Sequence, residues 1–538
     1  MDVSPRRTSI TLDDVSLLRA TTPAVLLEGG GRRLRSSVGG IGRVATSGDD
    51  DFAQSFPVSS IDIFLSHSWH ANWWLKYLTL LFYFNAIPST VATVLVVGAS
   101  AAYIWTGGLG YDPHARPDCQ NITWFHVLPR FQLIGLGTFL LVLSTWHHVL
   151  VARGKGPTMF LDKVCIHQTD PNMKVKGIKA IGAVLANSKT LLVTWDKSYF
   201  ERLWCTYEMC AFQHANPAGK IRVLPVVLGL FTVAYLCSAL LSGCATAAVL
   251  AAVVRGERLS HREILKVSAC CHFPFLCWCS QIFMEYIDNL TALKHQLANF
   301  SILDAKCFCC DSRHRHPQTG AELPCDREVV NASMDHWMGL DTFDDLVRGD
   351  FKHFVKRTLG GWAKVPYRYA VAGSLYQGLT AMDIMTYCND RPWWMKVLFA
   401  VDSAFLRHPL LIAIVLFMLR RFAPRGQAVV TAWFLRRKLP GCCGKCLVRF
   451  IAAAIFTVLY YATLNAATVI SLRRPVWVVL WMTIEIAANS WFYLARDPLH
   501  ADVAAQQALW SPLDIMDATW SMSTRRSSVR GSARSSFG

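Results

Sequence analysis

The chain reads as a multi-pass α-helical membrane bundle joined to an α/β domain, whose parallel sheet is split by a transmembrane hairpin. Three observations predict this. Hydrophobic residues fill 53% of the 538 positions and charged residues only 17%, against roughly 25% charged in soluble domains. Several apolar runs reach the roughly 20 residues needed to cross a hydrocarbon core. On either side of the first pair of runs, short segments alternate between strand and helix patterns, as in a parallel sheet with flanking helices.

Residues 1–58 carry Arg6, Arg7, Arg32, Arg33 and Arg35 among Ser, Thr and Gly without a helical or strand period, which predicts a disordered basic cytosolic tail. The stretch "RRTS" ending at Ser9 resembles a basophilic kinase site, and so does the segment around Ser528. Phosphate there would cancel positive charge near an anionic leaflet; a plainly solvated tail is the other reading. No early apolar core marks a cleavable signal peptide, so the first span is expected to act as its own insertion signal.

Residues 59–80 open the α/β domain. Ile61, Ile63 and Leu65 alternate with Asp62, Phe64 and Ser66, as in a strand, and a Ser-His-Ser turn then opens a helix. Residues 81–156 form the hairpin, with spans Ala86–Trp105 (reaching back towards Leu75) and Phe131–Val151. The loop between them holds the sequon Asn121-Ile122-Thr123, usable for glycosylation if that loop is lumenal. Residues 157–220 resume the domain: strand Met159–Leu161, helix Gly177–Ala186, strand Thr190–Trp195 and a helix from Leu203.

Within 221–285, Val223–Val254 and Val267–Met284 make two spans, or a short hairpin with an interfacial helix. Residues 286–363 read as a cytosolic loop. Residues 364–495 supply Val365–Tyr387, Phe405–Leu419, Val448–Ile470 and Val476–Leu494. The loop 420–447 is rich in Arg and Lys and so belongs in the cytosol. The Arg/Ser-rich segment 496–538 follows as a second cytosolic tail. This makes about eight crossings, with six or seven as alternatives, and puts both termini and the α/β domain in the cytosol.

The charge of +17, from 54 basic and 37 acidic residues, is assigned to this topology and not to nucleic acid. The 18 cysteines form no secreted framework; Cys270, Cys271, Cys277 and Cys279 sit in apolar sequence and act as small apolar residues with reduced thiols.

Two patterns carry a family resemblance: "IDIFLSHS", and "FLD" followed by "KGI", "ANSKTLLVTW" and "KSYFERLWCTYEM". In order, they resemble the TIR (Toll/interleukin-1 receptor) domain, and the arrangement is similar to TIR-like multi-pass proteins of single-celled algae. The resemblance lies in two pieces, 61–80 and 157–212, separated by the hairpin, and lacks the usual Arg-Asp-x-x-Pro-Gly loop. It implies a flavodoxin-like parallel sheet and signalling through self-association or other TIR-like partners beside the bilayer.

Some TIR domains cleave NAD, and the resemblance makes Glu208 the catalytic carboxylate, its charge stabilising the oxocarbenium-like ribose as nicotinamide leaves. Helical spacing puts Trp204 on the same face, where it would wall the ribose. Ser66, His67, Trp69 and Asp162 follow strand ends, where an open parallel sheet forms its ligand crevice. The alternative is a scaffold, with Glu208 at a helix start and Trp204 in the core. A third reading is a channel or transporter gated by the domain.

A second constellation is "CFCCDSRHRHPQTGAELPCDR". Cys307 and Cys310 have ligand spacing, and His314, His316 and Cys325 complete a zinc set with N and S donors. A palmitoylated or reactive cysteine cluster is the other reading. Among intramembrane charges, Glu485 is expected to line the bundle interior, and Asp402 and Arg407 to sit at an interface.

Overall fold

A computed structural model describes residues 14–35, 48–108, 129–216, 219–255, 261–315, 325–337, 339–351, 365–387, 392–418 and 475–494, with isolated positions in 320–322 and 446–458. Asn121, Ser9, Ser528 and His316 lie outside the described residues, as does most of the expected span Val448–Ile470.

The chain enters through β1 (Arg19–Ala20), which pairs antiparallel with β2 (Phe56–Pro57). Thr21 then bridges to Met159, so this ribbon borders the main sheet. That sheet has four parallel strands, β3 (Ile61–His67), β4 (Met159–Phe160), β5 (Ser188–Trp195) and β6 (Lys220–Pro225), in the order β4-β3-β5-β6. Residues before and after the hairpin therefore share one sheet. In β3, Ile61, Phe64, Leu65, Ser66 and His67 are all buried, because helices cover both faces of a parallel sheet and leave no exposed side to alternate with.

The crossover from β3 to β4 runs through the membrane hairpin. Helix α1 (Trp73–Trp105) is 33 residues long, about 50 Å at the α-helical rise, against a hydrocarbon core of about 30 Å. Its first turns, capped by Asn72, belong to the α/β domain, and its remainder is long enough to span. Helix α2 (Arg130–Ala152) packs on it antiparallel and returns the chain to β4. Leu133 and Leu141 on α2, and Val91 and Leu95 on α1, stay exposed, as side chains facing lipid do.

After β5 comes α3 (Leu203–Ala215), then β6, α4 (Leu228–Val254), α5 (His261–Ala298), α6 (Tyr367–Tyr387) and α7 (Trp393–Met418). Among the described residues, four helices are long and apolar enough to cross a membrane: α1, α2, α4 over Leu228–Ala245, and α7. The protein is thus a multi-pass membrane protein with an added α/β domain. Of the other expected crossings, α5, α6 and the helix Pro475–Asn489 form but do not meet that standard.

Three expectations are corrected. Residues 14–35 and 48–58, placed in a solvated tail, are structured: Leu18, Leu26, Leu27 and Leu34 are buried, and buried Arg33 pairs with Asp51 at 2.9 Å and Glu28 at 2.6 Å. Gly29, Gly30 and Gly31 turn the chain there with φ of 59°, 67° and 76°, a left-handed path that glycine takes without steric penalty. The apolar run from Val223 does not begin in the membrane; Val223 and Leu224 are the buried heart of β6, so the domain extends past residue 220. Asp402 and Arg407 are not at an interface. Both are buried, and they pair with each other across a π-helical turn inside the bundle.

Candidate functional site

The strand order reverses between β3 and β5. In open parallel sheets such a reversal is where the ligand crevice forms, at the carboxyl ends of the strands. β3 delivers Ser66, His67, Ser68 and Trp69 to that end; β4 delivers Asp162 and β5 Asp196.

Glu208, on the second turn of α3, reaches back under these ends. Ser66 Oγ donates to Glu208 Oε2 at 2.5 Å and lies 2.6 Å from the Tyr199 hydroxyl, which also reaches the Cys205 carbonyl at 3.3 Å. Desolvation pushes the Glu208 carboxyl up to about 8, opposed by the Ser66 hydrogen bond and reinforced by the charge of Asp162. It is therefore largely protonated at neutral pH until something stabilises its charge.

The surrounding groups form a connected polar floor. Trp69 Nε1 donates to Asp162 Oδ2 at 3.0 Å, and the backbone N–H of Lys163 to Asp162 Oδ1 at 2.7 Å. Burial raises the Asp162 carboxyl nonetheless. Ser68 Oγ meets Ser198 Oγ at 2.8 Å, and Ser198 donates to Asp196 at 2.9 Å. Lys76, wholly buried on α1, donates to the Ser68 carbonyl at 3.1 Å. The His67 ring stands edge-on to Trp69 at 4.4 Å. Its Nε2 is buried without a hydrogen-bond partner, and burial holds its pKa well below the ordinary histidine value.

Five of the sequence-predicted residues thus gather at one end of the sheet: Ser66, His67, Trp69, Asp162 and Glu208. Trp204 turns elsewhere. Its Nε1 donates to Asp326 Oδ2 at 3.1 Å, which ties the start of α3 to the cysteine-rich segment. Sequence reasoning missed Tyr199, Lys76 and Asp196, although the first lies within the quoted motif "KSYFERLW".

The cysteine-rich segment packs beside this domain. Leu203 N donates to the Lys306 carbonyl at 3.1 Å and Lys306 N to the Glu201 carbonyl at 2.6 Å. Cys309, Cys310, His314 and Cys325 each present one ligand atom, all within 4.8 Å of one another. Cys307 was expected in this set; instead its Sγ lies 3.2 Å from Cys309 and groups with Asp326. A cluster able to chelate a metal ion is therefore present, with Cys309 in the place expected of Cys307.

No family model matches this chain, and neither the curated proteins nor the solved structures include one that matches it.

Proposed function

We propose that this protein is a membrane-anchored TIR-like signalling protein acting through association of its α/β domain, which together with both termini faces the cytosol. The observation that carries this is the continuity of α1. One unbroken helix leaves the carboxyl end of β3, forms the first crossover of the sheet and continues for a membrane's thickness. Only the short turn at residues 68–72 lies between Ser66–His67 and this helix, a route by which displacement of the span would reach the strand ends. The strand order β4-β3-β5-β6 is that of a flavodoxin-like sheet, in keeping with the resemblance of "IDIFLSHS" and "ERLWCTYEM" to TIR sequences. The test is self-association of the full chain in nanodiscs, read by cross-linking against protein density. Protein that stays monomeric at every density, and captures no TIR-like domain, sinks the reading.

A second reading is favoured by the Ser66–Glu208 contact: NAD hydrolysis. The bond between ribose and nicotinamide breaks, the ribose becomes oxocarbenium-like, and ionised Glu208 stabilises it before water adds. Ser66 donates to the charged form, and Asp162 and His67 lie at the same strand ends. Nicotinamide release by the purified protein, compared with Glu208→Ala, tests this; equal background rates reject it. In this reading NAD is the substrate, and zinc in the cysteine cluster would be a structural ion. Asp402 and Arg407 pair with each other within the bundle.

A further inference from the structure

We propose that Cys309, Cys310, His314 and Cys325 bind one zinc ion, and that the ion clasps the ligand segments at Cys309–His314 and Cys325–Asp326 onto the start of α3, the helix that carries Glu208. This deepens the zinc part of the reading above and stands apart from signalling and NAD hydrolysis.

The donor set is three thiols and one imidazole, which suits a closed tetrahedral site. With Zn–S near 2.3 Å, the edges of such a tetrahedron are about 3.8 Å. Cys309 Sγ and Cys310 Sγ lie 3.8 Å apart, and Cys310 Sγ lies 3.8 Å from His314 Nε2. None of the four cysteine sulfurs in the segment is in a disulfide.

The backbone is shaped around these atoms. Arg313 and His314 have φ of 52° and 54°, a left-handed conformation uncommon outside glycine. It turns the chain back, letting His314 N donate to the Cys309 carbonyl at 2.7 Å. Arg315 bridges to Glu322, and Cys325 lies in the cluster. Asp326 N points at Cys309 Sγ from 3.3 Å. A backbone N–H aimed at a sulfur favours a thiolate, the form a metal needs. On binding, the three thiols release their protons to solvent as three Zn–S bonds form.

The same residues grip α3. Asp326, next to Cys325, accepts from Trp204 Nε1, and Asp311, next to Cys310, lies 3.5 Å from Arg202. Zinc binding would fix both contacts at once, because each partner adjoins a ligand.

The test uses the full chain, purified under reducing conditions without chelator. Elemental analysis is expected to find one zinc per chain, unchanged in Cys307→Ser and Cys277→Ser, and to fall below about a tenth in Cys309→Ser and Cys325→Ser. Should those two variants misfold, replacement of zinc by cobalt in the wild type reads the ligands directly, as a tetrahedral visible spectrum with thiolate charge transfer. Hydrogen exchange at 201–204 should quicken on zinc removal while 61–67 holds. Zinc absent from the wild type, retained in both ligand variants, lost equally from Cys307→Ser, or replaced by a disulfide overturns the site. Unchanged exchange at 201–204 overturns the clasp. Nicotinamide release and self-association are separate readouts, so failure here leaves those readings standing.

Discussion

Ser66 and Glu208 are 142 positions apart in the chain, with a whole membrane hairpin between them, yet Ser66 Oγ meets Glu208 Oε2 at 2.5 Å. The contact exists because β3 and β5 pair in parallel, with Ser66 beside Val193 and His67 beside Thr194, and α3 folds back under their carboxyl ends. It couples the membrane-anchored end of the domain to the helix bearing Glu208.

That coupling makes stability depend on pH. The Glu208 carboxyl is raised in the folded protein from 4.5 to about 8, so between these values the folded state holds a proton that the unfolded chain has lost. Stability from this group is full below about pH 4.5 and falls as pH rises towards 8. Glu208→Gln removes this dependence. Its melting temperature is expected to match wild type near pH 4.5 and exceed it by several degrees at pH 8.5. Parallel melting curves for the two proteins across that window would count against a protonated Glu208.

Ser66→Ala tests the same bond from the other side. Losing the donor removes the one hydrogen bond that favours the carboxylate, so the Glu208 pKa climbs further. If NAD is cleaved by ionised Glu208, wild-type nicotinamide release rises with pH through about 8. In Ser66→Ala the rise moves to higher pH. The pH–rate profile of each protein provides the check, and a variant profile unmoved or displaced to lower pH would contradict the assignment.

Gly229 marks where α4 meets α1. A Cβ there would lie 2.5 Å from Leu78 C and Thr79 N, both backbone atoms. Thr79 accepts from Gly229 N at 3.0 Å and donates to the Val226 carbonyl at 2.7 Å. Gly229→Ala must push the helices apart and weaken both bonds, at a cost of about 1–3 kcal/mol. Thermal unfolding in detergent, compared with an alanine at Gly98, where a Cβ meets nothing within 4 Å, isolates the effect.

The Asp402–Arg407 pair predicts a contrast between single and double substitutions. Side-chain exposure is 3% and 4%, so Asp402→Leu leaves the guanidinium in the bundle with Glu485 as a remaining acidic neighbour. The expected loss is up to about 3 kcal/mol, the lower end of the range for a fully uncompensated buried charge. Asp402→Leu with Arg407→Met removes both charges and should recover most of it. Folded yield and melting temperature in detergent report the difference, and a double variant no better than the single one refutes the pairing argument.

Much of this architecture was legible before any coordinates. The hairpin helices, the strands at Ile61, Met159 and Thr190, and the helix from Leu203 all come from local patterns of apolar and polar residues, which burial in lipid or in a sheet imposes on neighbours in sequence. The grouping of Ser66, His67, Trp69 and Asp162 followed from strand ends, because parallel strands expose their ligand side in one place; Glu208 came from the resemblance of "ERLWCTYEM" to TIR sequences.

Other features depended on which distant atoms meet. Val223 is equally apolar in a strand or a span, and only its pairing with Val193 makes it β6. Cys307, Cys309 and Cys310 are chemically alike at this spacing; the turn at Arg313–His314 selects which sulfurs face His314. Trp204 shares a helical face with Glu208, yet its indole found Asp326. The Leu18–Leu34 segment has no regular period because its leucines pack around left-handed glycines and a buried Arg33–Asp51 pair. Sequence by itself determined which segments must leave water, since that free energy belongs to each segment's own composition. Tertiary structure decided which polar groups meet, since a hydrogen bond or ligand set depends on ångström distances between residues far apart along the chain.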